Sequence, residues 1–592
     1  MTTPRSSAGA SPKPGRRQTP VASDEQPAPR PPDERQDGIT GTIDPLGMAT
    51  PIVQAQLSWL LHPQELAERL TRLSSDLWQL QWHSWQHQLG LAKADPIPAK
   101  ADDARFADPI WSESPNWDLV KEWYLAYTRH TQDMLYDTPG LADKERRRAA
   151  FWWRNWLNAV APTNYLWSNP VALRKAVESR GESLAQGFQN FLADVQAGSV
   201  RMTDPEDFTV GVNLATTPGA VVYRNRLLEV IHYAPRQAQV HAEPVVIVTP
   251  WINKFYVLDL TPKNSMVRFL LDQGLNVFIT SWKNPDASMS EVRFDDYLTE
   301  GVDTIVQVAR QLSGAAKVHA VGYCIGGTAL AMYLAWANRH YGADTTPVAD
   351  ATLLTTLVDF HKPGDIEVFI DDASVRHLCA QMERNGYLDG QEMASAFRLL
   401  RTNSLIWHYV VHGWLYGETL PAFDVLYWNM DTTRMPKAMH SWYLTELYLH
   451  NRLIVPNALT VAGETLDLAA IDQPLYVVSA EDDHIAPWDQ TFKIINHGIG
   501  EKRFILSSSG HIIGIVNPPV TPPKRRYWVD TAHRSDRPEH WRQRAEEHPG
   551  SWWEDWMAWL KPKAGPLVDA PLVATAEFPA LAAAPGNYVL ER

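Results

Sequence analysis

Residues 317–331 read KVHAVGYCIGGTALA. The apolar run at 317–321 predicts a β-strand, and the residues from Gly326 onward are typical of the start of a helix. Between them lies the pattern G-x-C-x-G, with Cys324 at its centre. The glycines allow a tight turn that holds the sulfur at a helix N-terminus, where N–H groups and the helix dipole favour thiolate over thiol. The pattern predicts that Cys324 is a catalytic nucleophile.

A turn of this kind also predicts where an oxyanion would be bound. The N–H of Ile325, directly after the nucleophile, is positioned to donate a hydrogen bond. A second donor is expected from the loop at 249–253, with Trp251 at its centre, because this loop follows the first core strand. The other cysteine, Cys379, has no such turn around it, so we interpret it as a packing residue.

Short apolar runs surround this turn and alternate with helical stretches. They lie at 244–248, 277–280, 318–321, 351–357 and 474–479. Runs of this length are typical of parallel strands buried on both faces, and alternation with helices predicts a doubly wound α/β sheet. Together with the cysteine turn, the pattern predicts an α/β-hydrolase fold. The alternation of strands and helices is absent from about 360–471, and we interpret this segment as a large cap insertion over the active site.

The N-terminal part of the chain differs in composition and in the spacing of its apolar residues. Residues 1–46 are rich in Pro, Ser, Ala and charge, which predicts a disordered tail. Residues 47–205 show apolar spacings of three and four, most clearly around 61–91 and 119–160, and predict an all-helical domain. The catalytic domain is expected to occupy residues 206–592.

Composition excludes several classes of protein. The net charge of −14 argues against nucleic acid as a partner, because phosphate binding requires a basic surface. Two cysteines in 592 residues exclude a disulfide framework. We expect no signal peptide, since the N-terminus lacks an apolar core, and no transmembrane span. The protein is therefore expected to be cytoplasmic.

The base and the acid of this fold follow the nucleophile in the chain. His511 lies in a Gly-flanked loop after the last predicted strand and is the expected general base. The acid is expected in the loop after the strand at 474–479, where Glu481, Asp482 and Asp483 all fit by spacing. His484 lies in the same loop, and we interpret it as structural or secondary.

A cysteine nucleophile narrows the reaction. Exchange of a substrate thioester for a cysteine thioester is roughly neutral in free energy, so the acyl group stays activated for transfer to a hydroxyl. This favours acyl transfer from a coenzyme A thioester, provided that water is excluded.

Longer motifs resemble one family. They are GYCIGGT at 322–328, TPWINKFYVLDL at 249–260, ITSWKNPD at 279–286, AFDVLYWNMD at 422–431, EDDHIAPW at 481–488, GHIIGIVNPP at 510–519, GSWWEDWMAWL at 550–560 and GNYVLER at 586–592. In this order, from about residue 50 to the C-terminus, they resemble polyhydroxyalkanoate synthases, and most closely class I enzymes. The resemblance implies polymerisation of (R)-3-hydroxyacyl-CoA, with release of coenzyme A. It also implies a preference for short monomers such as 3-hydroxybutyryl-CoA, with medium-chain monomers left open.

The resemblance further implies a triad of Cys324, Asp483 and His511. It implies no cofactor, because coenzyme A is part of the substrate, and we expect no metal site. Expected partners are the growing polyester and its granule surface, granule-associated proteins and a second copy of the chain in a homodimer. Because Cys379 lacks a suitable setting, we favour chain growth on a single thiol per subunit over transfer between thiols of two subunits.

Two other functions stay open. A cysteine-triad thioesterase would release free hydroxy acid, and a granule-coating protein would need no catalytic cysteine at all. The helix expected near 551–560 places Trp552, Trp556 and Trp559 on one face, where they line a polymer path, touch the granule surface or pack in the core.

Overall fold

The computed structural model describes Asp44, residues 47–91 and residues 103–592. The predicted tail at 1–46 lies outside the described residues, apart from Asp44. Beyond it, the chain forms a helical N-terminal region, a central sheet and a cap inserted between two strands of that sheet.

Within the described residues, the N-terminal region contains six helices of nine residues or more. They are α1 (Thr50–Leu61), α2 (Pro63–Gln88), α3 (Pro115–Tyr136), α4 (Asp143–Ala159), α5 (Pro170–Glu178) and α6 (Glu182–Ala197). Proline stands in the first turn of α1, α2, α3 and α5, where its missing N–H costs nothing. The pattern at 119–160 is two helices, because Pro139 and the left-handed Gly140 break it.

An eleven-stranded sheet forms the core of the rest. Its strands, in chain order, are β1 (Gly219–Arg224), β2 (Leu228–Tyr233), β4 (Val245–Val248), β5 (Val277–Trp282), β6 (Val318–Tyr323), β7 (Val348–Leu354), β12 (Leu475–Ala480), β13 (Lys502–Ser507), β14 (Arg526–Thr531), β15 (Glu546–Pro549) and β17 (Ala582–Ala583). The spatial order is β15-β14-β13-β12-β7-β6-β4-β5-β2-β1-β17. The six strands from β5 to β13 are mutually parallel, and they are almost wholly buried.

The five predicted apolar runs are all strands of this parallel group. The run predicted at 351–357 instead forms β7 at Val348–Leu354. The strand ends there because Thr355 takes a left-handed φ of 41°. Helices α7 (Met266–Asp272), α8 (Thr304–Ser313) and α9 (Ile325–His340) connect the strands. Six short strands pair outside the sheet: β3 (Gln239–His241) with β16 (Leu567–Asp569), β8 (Tyr387–Leu388) with β9 (Met435–Pro436), and β10 (Thr460–Val461) with β11 (Glu464–Thr465).

The cap lies between β7 and β12, where the rhythm of strands and helices stops. Its helices are α10 (Asp372–Asn385), α11 (Gly390–Leu400), α12 (Asp424–Met430) and α13 (Lys437–Trp442), with π-helical turns at Asn403–Trp407, Val410–Leu415 and Tyr443–Leu449. After the sheet come α14 (Pro538–Arg544) and α15 (Trp552–Leu560). None of the helices in the described ranges is long and apolar enough to span a membrane.

The structure of α15 shows where its tryptophans lie. Trp552 and Trp556 have no exposed surface, and their indole N–H groups donate to Gly514 O at 3.0 Å and to Thr352 Oγ1 at 2.9 Å. These two rings therefore pack in the core of the catalytic domain and do not line a path for polymer.

Candidate active site

Cys324 occupies a sharp turn between β6 and α9. Its φ of 54° and ψ of −123° are unusual for a residue with a side chain, and such strain is found where the surrounding structure holds it in place. The N–H of Cys324 donates to Leu354 O of the neighbouring strand β7 at 3.0 Å. The sulfur is thereby held at the carboxyl edge of the sheet and at the N-terminus of α9.

Glycines permit the close packing around this turn. A Cβ on Gly326 would lie 2.5 Å from the carbonyl oxygens of Val248 and Thr249. A Cβ on Gly327 would lie 1.9 Å from Thr356 Oγ1. The start of α9 therefore touches the ends of two strands, which only glycine allows.

His511 and Asp483 lie beside this turn, in the loops after β13 and β12. His511 Nδ1 is 2.6 Å from Asp483 Oδ2. The other oxygen of Asp483 accepts the N–H groups of Ile485 and Ala486 at 2.9 and 2.8 Å, so the carboxylate is fixed from both sides. Such a carboxylate orients the imidazole and leaves Nε2 for the nucleophile.

Of the three acids that the spacing allows, Asp483 is the one in contact with the histidine. Glu481 instead faces Arg542 at 3.4 Å, and Asp482 is exposed. The structure thus brings Cys324, His511 and Asp483 together in one site.

The charge of His511 is set by two neighbours. Burial works to lower its pKa, but the carboxylate of Asp483 and a hydrogen bond and negative charge from Cys324 outweigh burial and hold the pKa well above its ordinary value. The imidazolium form of His511 is therefore favoured in this site.

His484 does not join this group. Burial and the nearby charge of Arg401 lower its pKa to about 4, so its imidazole is neutral at physiological pH. Its carbonyl accepts the N–H of Asp365 at 2.9 Å, which ties the acid loop to the first loop of the cap. This agrees with its interpretation as a structural residue.

The loop after β4 lies against the start of α9, as its contact with Gly326 shows. Within the described residues, the backbone N–H groups of Trp251 and Ile325 have no hydrogen-bond acceptor. Both N–H groups are therefore free to donate to a substrate oxygen.

The cap fixes this loop through one threonine. Thr433 Oγ1 donates to Trp251 O at 2.8 Å and accepts the N–H of Asn253 at 2.9 Å. The indole N–H of Trp428 donates to Lys254 O at 2.6 Å. These contacts were not predicted from the sequence, because no local pattern connects residues 428–433 with a loop about 180 positions earlier.

Lys254 connects the same loop to the C-terminal segment. Its ammonium donates to Val589 O at 2.7 Å and Glu591 O at 2.8 Å and lies 2.9 Å from Asp431 Oδ1. Only 5% of this side chain is exposed. A buried ammonium with three oxygen partners fixes the position of the loop, the cap and the C-terminal segment relative to one another.

Three aromatic rings of the cap and its first loop lie close to the nucleophile. Phe360, Tyr443 and Tyr448 pack with ring centroids 4.8 to 6.2 Å apart. Burial chiefly raises the pKa of both tyrosines, and the negative charge of Cys324 raises it further. These residues carry no motif and were missed from the sequence.

The second cysteine is elsewhere. Cys379 lies in the middle of α10, half-buried and packed against the core cluster that contains Met382 and Leu388. A surface cavity of about 290 Å³ is lined by Tyr427, Arg434 and Arg592, among others, and Cys324 is not part of its lining.

Comparison with known proteins identifies the family. A model described as the N-terminus of poly-beta-hydroxybutyrate polymerase (PhaC) matches residues 102–270, and one of the alpha/beta hydrolase fold matches residues 244–518. The poly(3-hydroxyalkanoate) polymerase of Methylorubrum extorquens is 39% identical over 552 residues, which cover 92% of this chain and 89% of the relative. The chain belongs to the poly(3-hydroxyalkanoate) polymerase family. The polymerase subunit PhaC of Cupriavidus necator is 41% identical over 82% of this chain and 83% of its own length.

These matches confirm the family resemblance, the prediction of an acyltransferase and the α/β-hydrolase fold. Among solved structures, a thioesterase domain from the curacin biosynthetic pathway matches part of this chain. It is 10% identical with a TM-score of 0.30, and the match covers 50% of this chain and 95% of that domain. A monoacylglycerol lipase of Paleococcus ferrophilus is 11% identical with a TM-score of 0.29, over 48% and 90% of the two chains.

Proposed function

We propose that this enzyme polymerises (R)-3-hydroxyacyl-CoA into polyhydroxyalkanoate and releases coenzyme A, with the growing acyl group held as a thioester on Cys324. The observation that carries the proposal is the contact of His511 with both Cys324 and the fixed carboxylate of Asp483. Relatives that span most of this chain are poly(3-hydroxyalkanoate) polymerases.

In the first step, the thiolate of Cys324 attacks the thioester carbonyl of the substrate. The negative oxygen of the tetrahedral intermediate is stabilised by the N–H groups of Ile325 and Trp251. The intermediate then breaks its bond to the sulfur of coenzyme A, which leaves with the proton from His511. An acyl thioester on the enzyme and free coenzyme A are the products of this step.

In the second step, the 3-hydroxyl of an acyl group attacks the thioester carbonyl on Cys324. His511 accepts the hydroxyl proton, the new ester bond forms, and the thiolate is regenerated. Asp483 orients His511 and helps to activate the hydroxyl. One thiol per chain suffices if the extended acyl-CoA returns to Cys324, which agrees with the distant position of Cys379.

We propose 3-hydroxybutyryl-CoA as the preferred substrate, as the resemblance to class I enzymes implies. The rings of Phe360, Tyr443 and Tyr448 pack against one another, and burial raises the pKa of both tyrosines. An apolar environment of this kind would protect an activated thioester from hydrolysis. No cofactor is required, because coenzyme A arrives with the acyl group.

We further propose that the enzyme works as a cytoplasmic homodimer at the surface of polyester granules, together with other granule-associated proteins. Helix α2 supports the surface contact, since Trp78, Trp82 and Trp85 are 76%, 68% and 59% exposed. Indole rings in such positions suit a surface that is apolar but not fully dry.

The reaction is tested by coenzyme A release and polymer recovery from 3-hydroxyacyl-CoA substrates of increasing chain length. We expect polymer from the four-carbon substrate and almost no coenzyme A release by Cys324→Ala. The matched control is Cys379→Ala, which removes the other thiol and should keep both activities.

Two outcomes would refute the proposal in different ways. Coenzyme A release with an equal amount of free hydroxy acid and no polymer would identify a thioesterase. Release that Cys324→Ala leaves unchanged would remove the cysteine from the mechanism.

A further inference from the structure

A buried polar cluster joins two helices of the N-terminal region, outside the active site. His83 and His87 are four residues apart near the end of α2, so both rings lie on one face of that helix. Asp118 lies in the first turn of α3, and only 1% of its side chain is exposed. The two imidazoles are 14% and 22% exposed.

The three side chains converge on one point. Oδ2 of Asp118 is 3.7 Å from Nε2 of His83 and 3.2 Å from Nδ1 of His87, and the three ligand atoms all lie within 4.8 Å of one another. Around a tetrahedral zinc ion with bonds of about 2.0–2.1 Å, ligand atoms are separated by roughly 3.4 Å. Both distances to the carboxylate are close to this value.

A buried ammonium fixes the carboxylate of Asp118. Asp118 and Glu122 are both 1% exposed, and the ammonium of Lys121 lies 3.0 Å from Oδ1 of Asp118 and 3.4 Å from Glu122. Lys121 occupies one oxygen of Asp118 and so directs the other towards the histidines.

We propose that His83, His87 and Asp118 form a binding site for a divalent transition-metal ion, with zinc as the best fit. Two imidazoles and one carboxylate are a ligand set that zinc prefers, and a fourth position is left for water. From the sequence we expected no metal site, and the site proposed in the N-terminal region differs from that expectation.

Bound metal would fix the end of α2 to α3. Because the exposed Trp78, Trp82 and Trp85 lie on the same part of α2, the ion would also fix the orientation of that aromatic face. The rival account of the cluster is an imidazolium of His87 paired with Asp118, without metal.

The first test measures zinc binding by the untagged full chain after treatment with a chelator. It is carried out in the Cys324→Ala background, so that the catalytic thiol does not compete for zinc. We expect one zinc ion per chain, and a weakening of about 100-fold or more in His87→Gln. The matched control is His130→Gln, because His130 pairs with Asp76 at 2.8 Å across the same two helices and should leave zinc binding unchanged.

The second test needs no change in the cluster and therefore does not depend on the folding of the His87 variant. Diethyl pyrocarbonate modifies accessible histidines, and mass spectrometry locates the modified residues. Zinc should protect His83 and His87 from modification and leave His130 unaffected. Absence of stoichiometric zinc, equal binding by His87→Gln, or equal protection of His130 would each overturn the proposal and favour the imidazolium.

Discussion

His440 lies in the cap helix α13, where the residue is 3% exposed and its Nδ1 has no hydrogen-bond partner within the described residues. Burial lowers the pKa of this imidazole to about 4, from an ordinary value of 6.5. Between these two values the unfolded chain binds a proton that the folded cap does not bind. The contribution of the neutral imidazole to the stability of the cap is therefore fully present above about pH 6.5 and is lost as the pH falls towards 4.

The size of this loss follows from the pKa difference. Each pKa unit corresponds to about 1.36 kcal/mol, so 1.5 units between pH 6.5 and pH 5 cost about 2 kcal/mol. His440→Leu removes the titrating group and keeps an apolar side chain of similar size. Between pH 7.5 and 5.0, the wild-type cap should lose about 2 kcal/mol more stability than the variant cap loses.

Hydrogen exchange of the amides in Lys437–Trp442 and Tyr443–Leu449 measures the free energy of local opening at both pH values. His361→Leu, a substitution of an exposed histidine, is the matched control and should leave the pH dependence unchanged. An equal loss of stability in the wild type and in His440→Leu would show that this imidazole does not control the cap.

Three further substitutions test the site itself. Asp483→Asn should lower kcat for coenzyme A release by about 10²- to 10⁴-fold with a much smaller change in KM, because the amide favours the wrong tautomer of His511. Gly327→Ala should destabilise the protein by about 1–3 kcal/mol in urea unfolding, since its Cβ would overlap Thr356 Oγ1, and Thr356→Gly should restore part of the loss. Thr433→Val should lower kcat by about 10-fold, because the hydroxyl that holds the loop after β4 is lost.

Each of these has a result that would count against it. Full kcat in Asp483→Asn would mean that His511 is oriented by something else. No gain from Thr356→Gly in the Gly327→Ala background would place the overlap elsewhere. For Thr433→Val, a rise in KM at constant kcat would assign the threonine to substrate binding and not to the geometry of the loop.

The parallel half of the sheet was predictable because burial on both faces leaves an uninterrupted apolar run. The edge strands were not predictable, because strands that are exposed to solvent lack such an apolar run. Glu546–Pro549 is a polar, largely exposed stretch with the composition of a loop, and its hydrogen bonds to Arg526–Thr531 make it a strand. The β1–β2 pair contains a register shift between Val221 and Tyr223, which disturbs the alternation that sequence reasoning relies on.

The candidate site was partly predictable. Cys324 and His511 each follow a strand with a distinctive turn, so local sequence was enough to find them. Glu481, Asp482 and Asp483 are equivalent by spacing, and only the path of the loop shows which carboxylate meets the imidazole. Contacts between distant segments could not be predicted at all.

The cluster in the N-terminal region shows the same limit. The spacing of His83 and His87 is visible in the sequence as two histidines one helical turn apart. Asp118 is 31 positions from His87, and no local pattern connects them. A search for histidines at helical spacing would have found two of the three ligands.

The contacts of the C-terminal segment bear on how the enzyme is made. Glu229, at the start of the sheet, accepts the N–H groups of Asn587 and Tyr588, and β17 pairs with β1 at the far edge. During synthesis, residues before about 580 emerge from the ribosome while these partners are still missing. The loop that carries Trp251 gains the oxygen partners of Lys254 at 589 and 591 only when residues 582–591 have emerged. Lys254 is therefore synthesised 335 residues before the first of these partners, and the observed contacts of its loop form only after that segment has been made.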